Sequence, residues 1–209
     1  QELVPLAVSR GKNFRLYQGD AAKERDEKRD TLLAQIAPTA LVANLPYQVA
    51  ATTVLKYFQD LPSLNSATVM VQTEVAQRMA ASPGSKAYGA YSAKLRLFAQ
   101  ADGSFQVSKN SFLPPPRVES TVIRLKRDDE LARSLVEKGL ELAELTQLID
   151  AAFSQRRKTI SNSIRSKLEI NRDTLEQAFF DVGISPSARA EELNIESFIL
   201  LAQSFKNLK

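Results

Sequence analysis

The sequence predicts an α/β protein, with a mostly parallel sheet flanked by helices and a small all-helical part behind it. Three observations carry that prediction. Over residues 14–127, short apolar runs such as ALVA (40–43) and ATVMV (67–71) alternate with helix-like segments, the pattern of βαβ units. After Arg127 the strand signals stop and helical periodicity takes over. Two strands also end on polar residues, Gly19-Asp20 and Asn44, and open α/β sheets bind their ligands outside the carboxyl ends of their strands.

Each element follows in order. ELVPLAVSRG opens the chain with an apolar helical rhythm at Leu3, Leu6 and Ala7. FRLYQGD (14–20) is a short strand, and residues 21–36 are polar, then amphipathic. Five of the six residues from Ala40 to Leu45 are apolar, Asn44 being the exception, so this run reads as a buried strand. VAATTVLKYF (49–58) is a helix, and SATVMVQTEVAQRMA (66–80) is a strand over 67–72 running into a short helix. SPGSKAYG (82–89) is a loop by its Pro, Gly and Ser content. AYSAKLRLFAQ (90–100) is helical, SFQV (104–107) a short strand, SFLPPPRVES (111–120) a proline-braced segment and STVIRLKR (120–127) an alternating strand. A domain boundary at 127/128 separates residues 1–127 from an all-helical 128–209. In the second part, residues 153–168 read as one basic helix. At about 100° per residue, Phe153, Ile160, Ile164 and Leu168 share a face, and Lys158, Asn162 and Arg165 lie opposite.

Composition narrows the chemistry. The chain has 209 residues, 44% of them hydrophobic and 25% charged, an ordinary globular balance. No apolar run approaches the roughly 18 residues of a membrane span, and no basic start followed by an apolar core is visible. The absence of cysteine excludes disulfides, thiolate metal sites, iron–sulfur clusters and cysteine nucleophiles. The absence of histidine removes the commonest general base and metal ligand. Net charge is +4, with the positive excess in residues 1–127. The second part nevertheless holds SQRRKTISNSIRSK, with five basic residues and no acid. Local basic clusters on a mildly basic chain favour a polyanion partner.

Asn44-Leu45-Pro46-Tyr47 is the sharpest motif. A turn with Asn44 capping the next helix is one reading. The other is chemical. Asn44 offers a side-chain carbonyl, a backbone carbonyl held by the fixed φ of Pro46 offers a second acceptor, and Tyr47 offers a flat ring. Two acceptors and a ring suit an exocyclic amine on a stacked heterocycle. Holding both N–H groups draws the nitrogen lone pair out of conjugation and aims it at an electrophile. A good electrophile, such as an activated methyl sulfonium, then needs no strong base.

With NLPY closing a strand and FLPPPRVESTVIRL following, the chain resembles the ribosomal RNA adenine N6-dimethyltransferases. VQTEVAQRMAASPGSKAYGAYS, AAFSQRRKTISNSI and GISPSARAEELNIESF match in family order, and the blocks cover most of residues 14–205. The resemblance implies a class I, Rossmann-like methyltransferase sheet with a small helical C-terminal domain. It implies S-adenosylmethionine as methyl donor, no metal, and two adjacent adenosines near the 3′ end of small-subunit rRNA as substrate, in a pre-30S-type particle. The setting is the cytoplasm and the enzyme a monomer, with no membrane partner. In the site so implied, Asn44 and the Pro46 carbonyl orient the target N6, with Leu45 between them. Tyr47 stacks on the flipped adenine and Phe112 forms the opposite wall. Asp20, with Ala21 beside it and Asn44 across, holds the cofactor. Lys86, Arg117, Arg156, Arg157, Lys158 and Arg165 are the expected RNA contacts, with Arg156 and Arg157 balanced between RNA and acids at the domain junction.

The resemblance also implies a glycine-rich loop and a ribose-binding acid that this sequence does not carry. None of its seven glycines forms a G-x-G pattern, and ELVPL resembles the helix just beyond that acid. The expectation is therefore an N-terminally truncated piece that binds cofactor poorly and is inactive alone; titration with S-adenosylhomocysteine tests it, and micromolar binding refutes it. Two rivals remain open. One is the related large-subunit rRNA dimethylase of macrolide resistance, against which the SKAYG block and QRRKTI argue. The other is a non-catalytic RNA-binding assembly factor.

Overall fold

The structure is a computed structural model that describes Lys23, residues 26–46 and residues 48–208. The strand expected at 14–20, the helical rhythm at 2–10, and Asp20, Ala21 and Tyr47 lie outside the described residues.

Among the described residues the elements run α1 (Glu27–Ile36), β1 (Ala40–Asn44), α2 (Ala50–Asp60), β2 (Ser66–Gln72), α3 (Thr73–Met79), α4 (Ala90–Arg96), β3 (Ala99–Val107) and β4 (Ser120–Arg127). Helices α5 (Glu130–Glu137), α6 (Leu142–Ala152), α7 (Ile160–Arg165), α8 (Arg172–Asp181) and α9 (Ile195–Asn207) follow. None of the described helices is long and apolar enough to cross a membrane.

The four described strands form one sheet in the order β1-β2-β4-β3. Only β1 and β2 run parallel; β4 is antiparallel to both β2 and β3. Among the described strands, one pair is parallel and two are antiparallel. The cause is connection length: α2 lies between β1 and β2 and carries a crossover, whereas the link from β3 to β4 holds only a turn of 3₁₀ helix and three prolines. Such a link returns the chain antiparallel.

Pleating sorts the side chains onto two faces. Ala67, Val69 and Val71 of β2 and Ile123 and Leu125 of β4 are buried, on the face that α3 and α4 cover. On the other face Val42, Thr68 and Arg124 align across the strands. Val42 there is 82% exposed. Strand β1 is therefore less buried than its apolar run predicts, because its outer face is uncovered and, among the described residues, β2 alone pairs with it.

Two further boundaries differ from expectation. The helix expected over 90–100 stops at Arg96, and the strand expected at 104–107 begins at Ala99. The whole length of β4 is available for pairing, and β3 follows it through a bulge at Ala101/Gly103, where Gly103 takes φ +136°. The basic helix expected over 153–168 is broken. Helix α6 ends at Ala152, and α7 starts afresh behind Thr159, whose hydroxyl accepts from the Asn162 N–H. Residues 154–159 form a loop. Ile160 and Ile164 are fully buried, as the periodicity requires.

One apolar cluster joins the sheet and the helices that follow it. It includes Val54, Phe58 and Ile123 from the first part and Leu145, Ile149, Phe179 and Phe198 from the second. Polar ties reinforce the junction. The buried Tyr88 hydroxyl donates to the Leu193 carbonyl at 2.9 Å, the Gly84 N–H donates to the Glu191 carbonyl at 2.7 Å, and Lys94 pairs with Asp150 at 2.6 Å. Phe153 lies between Tyr88 and Phe198, with both ring centroids 5.9 Å away.

Candidate active site and nucleic-acid interface

An open pocket of about 370 Å³ sits at the carboxyl ends of β1 and β2. Asn44, Leu45, Pro46 and Phe112 line it, with Met70, Pro114 and Pro116. Phe112 comes from the β3–β4 connection, 68 residues along the chain from Asn44. The structure thus brings together every described residue that the sequence placed in the catalytic set.

Local geometry fixes what these residues can do. The Asn44 side chain makes no hydrogen bond among the described residues, and α2 has Val49, not Asn44, at its N-cap with no side-chain bond. Helix capping is therefore not its role. The Pro46 carbonyl accepts from the N–H groups of Val49 and Ala50, each at 3.1 Å. Both bonds serve the start of α2. The Leu45 carbonyl has no hydrogen bond among the described residues. Asn44, Leu45 and Phe112 line one pocket, and a side-chain amide, a backbone carbonyl and a ring are the accepting set that an amine on a flat base requires. Of the expected cofactor residues only Asn44 is described, and its unpartnered amide at a strand's carboxyl end suits either a base or a cofactor edge.

A second cleft, of about 710 Å³, lies between the two parts of the chain. Lys86, Arg156 and Lys158 line it together. Arg156 makes a loose ion pair with Glu191 at 4.0 Å, its side chain 73% exposed, and donates to the Lys86 carbonyl at 3.4 Å. It therefore pairs at the junction while staying open to solvent. Arg157 and Arg165 are exposed but do not line the cleft, and Arg117 is exposed in the proline segment. Arg78 and Arg189 also line the cleft and were missed. Arg78 pairs with Glu74, and Arg189 lies 3.7 Å from Glu191. Their signal was available for Arg189 in SARAEEL, where a lone arginine precedes two acids. Tyr91 lines the same cleft with its hydroxyl buried and unpartnered among the described residues, and burial pushes that hydroxyl well above its ordinary pKa.

Comparison with known proteins places this geometry. The family profile described as ribosomal RNA adenine dimethylase matches residues 3–207. Proteins named ribosomal RNA small subunit methyltransferase A are similar: one from Streptomyces coelicolor is 38% identical over 93% of this chain and 64% of its own length. One from Rubrobacter xylanophilus is 38% identical over 96% of this chain and 70% of its own length. One from Rhodococcus opacus is 44% identical over 79% of this chain and 55% of its own length. The chain thus spans between about half and 70% of these relatives. Among solved structures, a dimethyladenosine transferase from Plasmodium falciparum superposes with a TM-score of 0.73 at 21% identity, covering 96% of this chain and 75% of that one. The 23S rRNA methyltransferase ErmE gives 0.59 at 20% identity, covering 97% and 79%. These two likenesses establish the Rossmann-like fold. With the profile spanning almost the whole chain and the relatives agreeing, the protein belongs to the ribosomal RNA adenine dimethylase family.

Proposed function

We propose that this chain is the substrate-binding part of an rRNA adenine N6-dimethyltransferase. The reaction transfers methyl groups to two adjacent adenosines near the 3′ end of small-subunit rRNA during ribosome assembly in the cytoplasm. The observation that carries the reading is the pocket lined by Asn44, Leu45 and Phe112, in which the Asn44 side chain and the Leu45 carbonyl have no hydrogen-bond partner among the described residues. The relatives' names favour the small-subunit over the large-subunit substrate.

The residues act as follows. The Asn44 side-chain oxygen accepts one N–H of the target N6, and the Leu45 carbonyl accepts the other. Phe112 packs on one face of the adenine ring, and Tyr47 is assigned to the opposite face. S-Adenosylmethionine, when bound, supplies an electrophilic methyl group. The N6 lone pair that Asn44 and Leu45 orient would take that methyl group, and N6 would give up a proton to solvent. Positioning carries the rate. Residues 1–127 hold the pocket, and residues 128–209 contribute the basic loop that tracks phosphates, the molecule acting as a monomer.

Asn44→Ala tests the reading. In the whole enzyme that holds this chain, methyl incorporation into small-subunit rRNA should vanish while RNA affinity stays within about threefold. Methylation surviving this substitution sinks the proposal. If the variant instead supports assembly in cells as well as the wild type does, the chain is an assembly factor first.

A further inference from the structure

Leu113 is 99% exposed, the most exposed large apolar side chain among the described residues. It sits in the β3–β4 connection between two residues that line the adenine pocket, Phe112 and Pro114. Phe112 has φ −119° and ψ 149°. Phe112, Pro114 and Pro116 turn toward the pocket, and Leu113 turns away from it into solvent.

The segment that holds Leu113 is braced at both ends. The Ser111 N–H donates to the Ser108 carbonyl at 2.9 Å and the Phe112 N–H to the Lys109 carbonyl at 3.3 Å. At the far end the Glu119 carbonyl accepts from the Thr73 N–H at 3.0 Å. Prolines 114–116 fix three successive φ angles between these anchors. A leucine in water on a rigid ridge gains nothing in the free protein. It buries its surface only if something flat and apolar comes down on the ridge.

An adenine enters such a pocket only after leaving its stack. The gap it leaves exposes the faces of the flanking bases, and apolar side chains such as leucine are the groups that proteins insert into opened base steps. We propose that Leu113 is this wedge: as the adenosine turns into the pocket beside Phe112, Leu113 packs against the base next to it and holds the stack open. The ligand is the nucleotide flanking the target; Arg117, four residues on, is exposed. The inference rests on the adenine-pocket reading above.

The test uses the full chain and a small-subunit 3′-end hairpin RNA that keeps the target adenine and carries 2-aminopurine as the base next to it. Its fluorescence rises when the target leaves the stack. Wild-type protein should raise it, and Leu113→Ser should cut the rise about tenfold while anisotropy shows RNA binding little changed. Leu113→Met should restore the rise. A second RNA, abasic at the target position, has no base to turn out and should give equal signals with both proteins. A wild-type rise from Leu113→Ser on the hairpin overturns the wedge and leaves the pocket reading standing. If the wild type binds the hairpin and does not raise its signal, the pocket reading fails and the wedge falls with it. The leucine is solvent-exposed, so its replacement leaves folding intact.

Discussion

Two tyrosines three residues apart, both facing the central cleft, are set against each other by their hydrogen bonds. The Tyr88 hydroxyl donates to the Leu193 carbonyl, and the Tyr91 hydroxyl is buried with no partner among the described residues. A buried polar group costs stability unless it is paired. Tyr88→Phe should therefore lower stability by about 1–2 kcal/mol, since it strands the Leu193 carbonyl, while Tyr91→Phe should be neutral or raise stability by up to about 1 kcal/mol. Urea denaturation of the two variants would show opposite signs; equal signs would contradict the assignment. Alkaline pH gives a second check. Burial first, and then Glu196, raises the Tyr88 hydroxyl from 10.0 to about 12. The folded chain holds that proton more tightly than the unfolded chain does. The associated stability is complete below pH 10 and is lost as pH climbs toward 12. Tyr88→Phe should flatten that part of the alkaline decline in a melting series.

Elements are held where the site needs them by contacts distant from it. Helix α2 starts at the NLPY turn, where Pro46 accepts its first N–H groups, and Arg127 at the end of β4 secures its other end. The Arg127 guanidinium donates to the carbonyls of Phe58 at 2.8 Å and Leu61 at 2.7 Å, and to that of Leu64. It pairs with Asp129 at 2.8 Å and lies 5.3 Å from the Phe58 ring centroid. Lysine cannot reproduce that fork. Arg127→Lys should cost about 2–3 kcal/mol, read as a lower denaturation midpoint with unchanged slope. The sequence disclosed β2, β4 and α2 closely, because their apolar periodicities are strong and turn residues bound them. It did not disclose that Pro46 would spend its carbonyl on α2, since proline's fixed φ says nothing about which N–H groups come next. Nor did it reveal the break at Ser154–Thr159. There an apolar face at helical spacing survives on both sides of a loop, and only the Thr159 cap marks the restart. The pocket itself was legible as NLPY and FLPPP, while the shared cleft of Lys86, Arg156 and Lys158 depended on packing that joins distant stretches.

For the molecule as a whole, charge and packing decide how a polyanion is met. Positive charge outweighs negative by four over the chain, and the cleft collects lysines and arginines from both parts. Each phosphate contact releases counterions, so affinity for rRNA should fall steeply with salt. Lys158→Ala should weaken binding evenly across RNA sequences and reduce the slope of log Kd against log salt by about one; an unchanged slope would remove Lys158 from the interface.

The Tyr88–Leu193 and Gly84–Glu191 bonds and the ring stack through Phe153 have a consequence for selection. They fasten the loop that carries Lys86 to the helical part that carries Arg156 and Lys158. On the proposed function, such fastened parts would work as a caliper, taking an RNA when the span from its target adenosine to its distal backbone matches a set opening, whatever bases lie between.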